Sequence, residues 1–197
     1  MIAEALAQCL SPRVEAALIK VIDRKSAPIF VRKHAVCALA HGVEPSSRRF
    51  LLNLFLSEVG RKQSKREFEI YRVLLRAMGH LNDKRAILGL LQALHEERES
   101  SYLDCMIATV TSLGELGDKR AMVPLRNLLN TDWVRQAPTI CLALAKLRDP
   151  KSRQWIATAK EKARGKWAWT PWQRKTFKKA EQLASRQRRH IRPQSRG

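Results

Sequence analysis

At 197 residues with 45% apolar content, the chain is long enough to bury a real core, as one domain or one domain with an appendage. Its 38 Lys and Arg against 18 acidic residues leave a formal net charge of +20, which favours an anionic partner: nucleic acid, an acidic protein or an anionic membrane. The opening residues Met1 to Leu6 lack the basic and continuous apolar regions of a signal peptide, and no run approaches the roughly 20 apolar residues of a membrane span, so a cytoplasmic protein is expected.

Apolar residues recur three and four apart through most of the chain, with no convincing strand alternation, so the fold is expected to be all-α. Ser11 opens a short first helix that should act as an end cap. Val31-Arg32 opens a helix that closes on Leu39-Ala40; a break follows at Glu44, and the helix beyond it carries Leu51 and Leu54. Ile70, Val73, Leu74, Ala77 and Met78 mark the next helix, Asp83 its break, and Ile87, Leu90, Leu91 and Leu94 the helix after it. The same order returns with Leu113-Gly114, Asp118, Leu125 and Leu128, and again with Val134-Arg135, Leu144-Ala145, Asp149, Ile156 and Ala159.

Aligned on Glu44, Asp83, Asp118 and Asp149, with Ser11 as a weaker first member, these segments repeat at intervals of 31 to 39 residues. Five positions before the last four anchors stand Leu39, Met78, Leu113 and Leu144, and four before stand Ala40, Gly79, Gly114 and Ala145. Seven after stand Leu51, Leu90, Leu125 and Ile156, and ten after stand Leu54, Ala93, Leu128 and Ala159. Columns that persist across the break define a unit of helix, short turn and helix. Small residues late in the first helix would admit a close neighbour, and the short polar anchor suits the N-cap of the second helix.

Leu116-Gly117-Asp118-Lys119-Arg120-Ala121 and Leu81-Asn82-Asp83-Lys84-Arg85-Ala86 are nearly the same sequence, each followed by an apolar helix. Together with the Val-Arg dipeptides, these segments resemble the HEAT-like repeats named for phycobilisome lyases, over about residues 10 to 160 and most clearly from 76 to 150. The resemblance implies an α-solenoid of about four to five helix pairs stacked side by side. It implies less about function, because such repeats serve as adaptors, lyase-type chaperones and nucleic-acid binders alike. It also implies that Arg32 and Arg135 pair with the aspartate of an adjacent turn, forming a ladder between repeats.

Basic residues follow every anchor: Arg13, Arg48 and Arg49, Lys84 and Arg85, Lys119 and Arg120, Lys151 and Arg153. Repetition should place them along one edge, either as an ordinary part of the repeat or as a polyanion contact. A cation in the first helical turn opposes the helix dipole, so something should compensate for it. His41 and His80 both stand three before an anchor, in a column continued by Glu115 and Lys146, so their spacing comes from the repeat. No metal-ligand spacing or nucleophile motif occurs, hence no catalytic residue, metal or cofactor is assigned. Cys9, Cys37, Cys105 and Cys141 lie apart within apolar runs and read as buried thiols of a reducing compartment.

Residues 1–164 are thus expected to form the repeat domain and 165–197 a basic, Trp-containing helix and flexible tail. From Lys160 to Gly197 thirteen Lys or Arg face only Glu161 and Glu181, and all five Trp (133, 155, 167, 169 and 172) fall in the last third of the chain. Thr170-Pro171-Trp172-Gln173 has the form of a capping box with proline at the first helical position, predicting a helix from about 171 to 189. Phe177, Ala180, Leu183 and Ala184 give it a modest apolar stripe that Trp172 could join near its start.

The function these features point to is a non-enzymatic scaffold that engages a protein partner and, through its basic edge and tail, DNA or RNA. The candidate polyanion contacts are Lys84, Arg85, Lys119, Arg120, Arg174, Lys175, Lys178, Lys179, Arg186, Arg188, Arg189 and Arg192. A pure protein adaptor with an acidic partner is the alternative. HEAT-like folds also include alkylpurine DNA glycosylases; their catalytic pattern is not matched here residue by residue, which leaves base repair a minor third reading.

Overall fold

The computed structural model describes residues 11–42, 44–61, 65–97, 103–130, 133–164 and 169–189. Among these residues there are ten α-helices, three short 3-10 helices and no strand. The helices are α1 (Pro12–Asp23), α2 (Ile29–Ala40), α3 (Pro45–Glu58), α4 (Lys65–Leu81), α5 (Ile87–Glu97), α6 (Leu103–Leu116), α7 (Met122–Leu129), α8 (Ala137–Lys146), α9 (Ser152–Ala163) and α10 (Pro171–Arg189). No helix among the described residues is long and apolar enough to cross a membrane. The chain divides into two compact units, Met1–Ser112 and Leu113–Gly197.

The breaks fall at the anchors because local chemistry stops one helix and starts the next there. The residue before the anchor takes a left-handed conformation at Asn82 (φ 51°), Gly117 (φ 70°) and Arg148 (φ 58°), which closes the first helix. After Arg148 the turn is a Schellman arrangement, with Asp149 N–H bonded to the Leu144 carbonyl at 3.0 Å and Arg148 N–H to that of Ala145 at 3.1 Å. Asn and Gly tolerate this conformation, whereas Arg148 carries a steric cost of roughly 1–2 kcal/mol. The anchor then caps the next turn: Asp83 accepts from Arg85 N–H at 3.0 Å and Asp118 from Arg120 N–H at 2.9 Å, each opening a single 3-10 turn ahead of α5 or α7. Ser11 Oγ accepts from Val14 N–H at 3.4 Å to start α1, while Glu44 precedes α3 with no side-chain cap and Pro45 takes the first helical position.

In the first unit, α2 packs on α1, α3 and α4, and α3 also packs on α4. Leu39, Leu51, Met78 and Leu90 from the aligned columns are completely buried, together with Val36, Phe55, Leu74 and Leu75. Phe55 stacks on Tyr71 with ring centroids 6.5 Å apart, and Gly89 leaves room for the Phe55 ring. Glu69 ties α2 to α4 by accepting from Lys33 at 2.6 Å and from Arg72, on its own helix, at 3.0 Å. Ser112 Oγ donates to the Leu75 carbonyl at 2.6 Å in the interior.

In the second unit, α8 is buried almost all round, at Ala137, Pro138, Thr139, Ile140, Cys141, Ala143, Leu144 and Ala145, because α7, α9 and α10 all pack against it. Leu113, Leu125 and Leu144 are fully buried, and Ile156 and Ala159 nearly so. The small-residue column admits a close neighbour, as expected, at Gly114, where a Cβ would stand 2.8 Å from the Ala143 Cα. Of the thiols, Cys105 and Cys141 are buried, and burial pushes Cys141 up to about 12. Cys37 is only half-buried, a departure from the expected burial, and Cys9 lies outside the described residues.

One column explains itself in space. His41 and His80, at the same repeat position, bring their rings to 5.2 Å, and Lys146 donates to Glu115 in the same column at 3.3 Å. Arg32 does not make the expected rung to an aspartate. Arg32 Nε donates to the Ile22 carbonyl at the end of α1 (2.8 Å). Asp149 is gripped by Arg126 from α7, at 2.8 and 2.6 Å. Arg126 was legible in principle: eight positions after the other anchors stand Leu52, Leu91 and Ala157, so a lone arginine in an apolar column needs a buried partner.

Candidate polyanion interface on the C-terminal helices

The capping box forms as its residues dictate. Thr170 N–H donates to Gln173 Oε1 at 2.9 Å and Gln173 N–H to Thr170 Oγ1 at 3.2 Å, and α10 runs from Pro171. Thr176, Phe177, Ala180 and Ala184 turn inward against α8 and α9. Trp172 does not join that stripe; it stands 55% exposed, because Trp169, just ahead of the helix, takes the place beside Phe177 edge-on at 5.1 Å. Burying the apolar face of α10 leaves Arg174, Lys175, Lys178, Lys179 and Arg186 exposed. Lys175, Lys179 and Arg186 follow one stripe at helical spacing, and Arg174 and Lys178 the adjoining one.

Between α9 and α10 lies an open groove. One part, of about 680 Å³, is lined by Lys160, Ala163, Arg164, Trp169, Arg174, Phe177, Lys178 and Glu181. A smaller part, of about 380 Å³, continues past Arg153, Ile156, Ala157 and Ser185. Lys160 and Glu181 form an ion pair across the groove where the two parts meet, and Lys160 Nζ sits 5.6 Å over the Phe177 ring. Arg174 donates to the Trp169 carbonyl at 2.7 Å, and Arg164 lies 3.7 Å from Glu161. In the sequence Lys160 and Arg164 are two members of a charge run; only the packing of α10 on α9 turns them into one bank of a groove.

The other candidate cations fall into two kinds. Lys84 and Lys119 are exposed at the starts of their 3-10 turns. Arg85 and Arg120 are exposed too, yet each folds back on its own anchor, Arg85 on Asp83 at 2.6 Å and Arg120 on Asp118 at 2.8 Å. These carboxylates supply the compensation that a first-turn cation requires, and the hydrogen bond from Arg85 holds Asp83 below the usual carboxylate range. Arg188 and Arg189 belong to α10 but their side chains lie outside the described residues, as does all of Arg192. Lys162, one of the thirteen C-terminal cations, is structural, donating to the Leu129 carbonyl at the end of α7 at 2.9 Å.

Among the described residues no three His, Cys, Asp or Glu side chains gather as a metal site. The helices and this surface define an all-helical protein with a cationic, aromatic-floored groove beside its C-terminal helix. Compared with known proteins, the chain matches no family model and no curated protein.

Proposed function

We propose that the chain is a HEAT-like repeat scaffold of four to five stacked helix pairs that binds without catalysing, engaging a protein partner through the repeats and nucleic acid through the C-terminal helix. The observation that carries the reading is the division of α10 into a buried apolar underside and a cationic outer surface, beside which stand Lys160 of α9 and Arg164 at its C-terminal cap. A helix needed only to cover the last repeat gains nothing from five exposed cations with so few acids among them. Neutralising phosphates releases their counterions and makes such a surface a binding site at moderate salt. The equal-position contacts His41–His80 and Glu115–Lys146 support stacking of like on like within each unit. A cytoplasmic setting belongs to the same proposal.

The test is salt-dependent binding of the whole chain to duplex DNA and to RNA by fluorescence anisotropy, beside a pull-down from the native host with and without nuclease. Affinity that falls steeply with salt, together with partners lost on nuclease treatment, supports the reading. If neither nucleic acid binds at about 0.1 M salt, where the screening length is about 10 Å, the nucleic-acid half fails and a protein adaptor with an acidic partner replaces it.

A further inference from the structure

We infer that the outward face of α10 holds a single strand of nucleic acid in preference to a duplex, stacking an unpaired base on Trp172 and setting the adjoining phosphates on Lys175, Lys179 and Arg186. This rests on the reading that the C-terminal helices bind nucleic acid, and it names which form they take and the aromatic residue that selects it.

Trp172 is the odd member of its helix. Because Trp169 fills the place beside Phe177, the Trp172 ring is left 55% exposed in the first turn of α10, while Phe177, Ala180 and Ala184 are buried. Its backbone is fixed, since the Trp172 carbonyl accepts from Thr176 Oγ1 at 2.9 Å, and among the described residues no other ring or cation packs on the indole. Leaving so large an apolar group in water forgoes a burial that a partner would recover. Positions 172, 175, 179 and 186 are three, four and seven residues apart, spacings that return to one side of a helix, and they fall within about 60° of one another round the axis. Lys175 stands about 4.5 Å along the axis from Trp172, and Lys179 about 6 Å further on. All three cations are exposed, and among the described residues none is held in an ion pair. The one acidic residue of α10, Glu181, lies half a turn away from Trp172 and is bound to Lys160.

The occupant of this face needs a flat apolar group at one end and negative charges recurring along a line beyond it. A single strand has both, because its bases can swing out and stack on an aromatic ring while its phosphates run on beside them. A duplex offers the phosphates alone, since its base faces are covered by their neighbours. An anionic membrane calls for a continuous apolar face, and here one indole stands among cations.

The experiment measures the full chain by fluorescence anisotropy on a labelled oligothymidylate of about 12 nucleotides, with a relaxed closed duplex circle, which has no ends to stack on, as competitor. Counted per phosphate, the single strand should bind more tightly. Trp172→Ala, at an exposed position that leaves the core intact, should weaken the single strand on the order of tenfold and leave the duplex within about twofold, and Trp172→Phe should recover much of the loss. Trp172→Lys separates stacking from charge: the added cation should strengthen the duplex and still weaken the single strand. Lys175→Ser with Lys179→Ser should weaken both forms, and the slope of log affinity against log salt for the single strand should become shallower by at most about 0.7 for each lysine. Equal losses for both forms on Trp172→Ala, a single strand strengthened by Trp172→Lys, an unaltered salt slope, or a duplex bound as well as the single strand overturn the inference while leaving nucleic-acid binding intact. Phosphatidylglycerol vesicles or polyglutamate bound as tightly as the oligonucleotide, with the same dependence on Trp172, also overturn it and assign the face to a membrane or an acidic peptide. If neither nucleic acid binds, both readings fall.

Discussion

Asp149 shows how one side chain can hold a turn together. Burial pushes its carboxyl up, but hydrogen bonds from Arg126 and the Lys151 N–H, with the Arg126 charge, outweigh that and hold it below the ordinary value of 3.8. Asp149 is wholly buried while Arg126 keeps 26% of its side chain exposed, so Arg126→Ala strands a carboxylate without exposing it to water. The loss should be about 3 kcal/mol, at the low end for a broken buried pair, read as a fall in Tm at neutral pH. Because the folded value is depressed, the ionised pair stabilises the fold fully above pH 3.8 and progressively less as pH falls through the folded value. Asp149→Asn should accordingly trail the parent by a constant margin between about pH 5 and 7, and that margin should shrink on acidification. A margin unchanged down to about pH 2 would show that the carboxylate was not ionised in the fold.

Elements are stabilised by how closely they approach. An alanine in place of a helical glycine ordinarily gains about 1 kcal/mol from backbone entropy. At Gly114 the new methyl would meet backbone, the Ala143 Cα at 2.8 Å, so α6 and α8 must separate and Gly114→Ala should destabilise by about 1–3 kcal/mol. Ala143→Gly should not rescue it, since the clash is with the Cα. Leu125→Ala removes a fully buried side chain from the core of the second unit and should cost about 2–5 kcal/mol by chemical denaturation. Phe177→Ala, which unpins α10 from α8 and α9, should cost about 3–5 kcal/mol and weaken nucleic-acid binding as well, because it removes the platform that presents the cations.

At the scale of the whole molecule the large positive charge concentrates toward the C-terminus of the chain. Removing residues 186 to 197 deletes Arg186, Arg188, Arg189, Arg192 and Arg196 with little apolar surface, Ile191 excepted. Thermal stability should change little, and the slope of log affinity against log salt on duplex DNA should become shallower by at most about 0.9 for each phosphate no longer neutralised. An unchanged slope would place the phosphate-binding cations elsewhere. Among the cations after the anchors, Lys84→Ser and Lys119→Ser should weaken binding more than Arg85→Ser and Arg120→Ser, because the two arginines already share their charge with Asp83 and Asp118. Parity between the two pairs would mean that a bound phosphate displaces the cap.

What the sequence determined by itself is what acts over a few residues. Ser11, Asp83, Asp118 and Asp149 announced their turns because a carboxylate or hydroxyl caps the amides just beyond, Glu44 did so only through the proline that follows it, and Thr170 with Gln173 announced the start of α10 by the same capping. The apolar columns announced the core because a helix returns to the same face every three or four residues. The Asn82 and Gly117 column of left-handed residues was equally local and was there to be read, and Arg148 hid its last member, since arginine does not advertise that conformation. Tertiary structure alone decided the rest. Arg126 finds Asp149 across 23 residues, Lys162 finds the end of α7, and Trp169 rather than Trp172 meets Phe177. The groove exists only because α10 lies along α9 and brings two runs of cations, unremarkable as sequence, to face each other across an aromatic floor. Those outcomes depend on which surfaces win contact after the helices have formed, and that competition among distant apolar faces leaves no short-range signature in the chain.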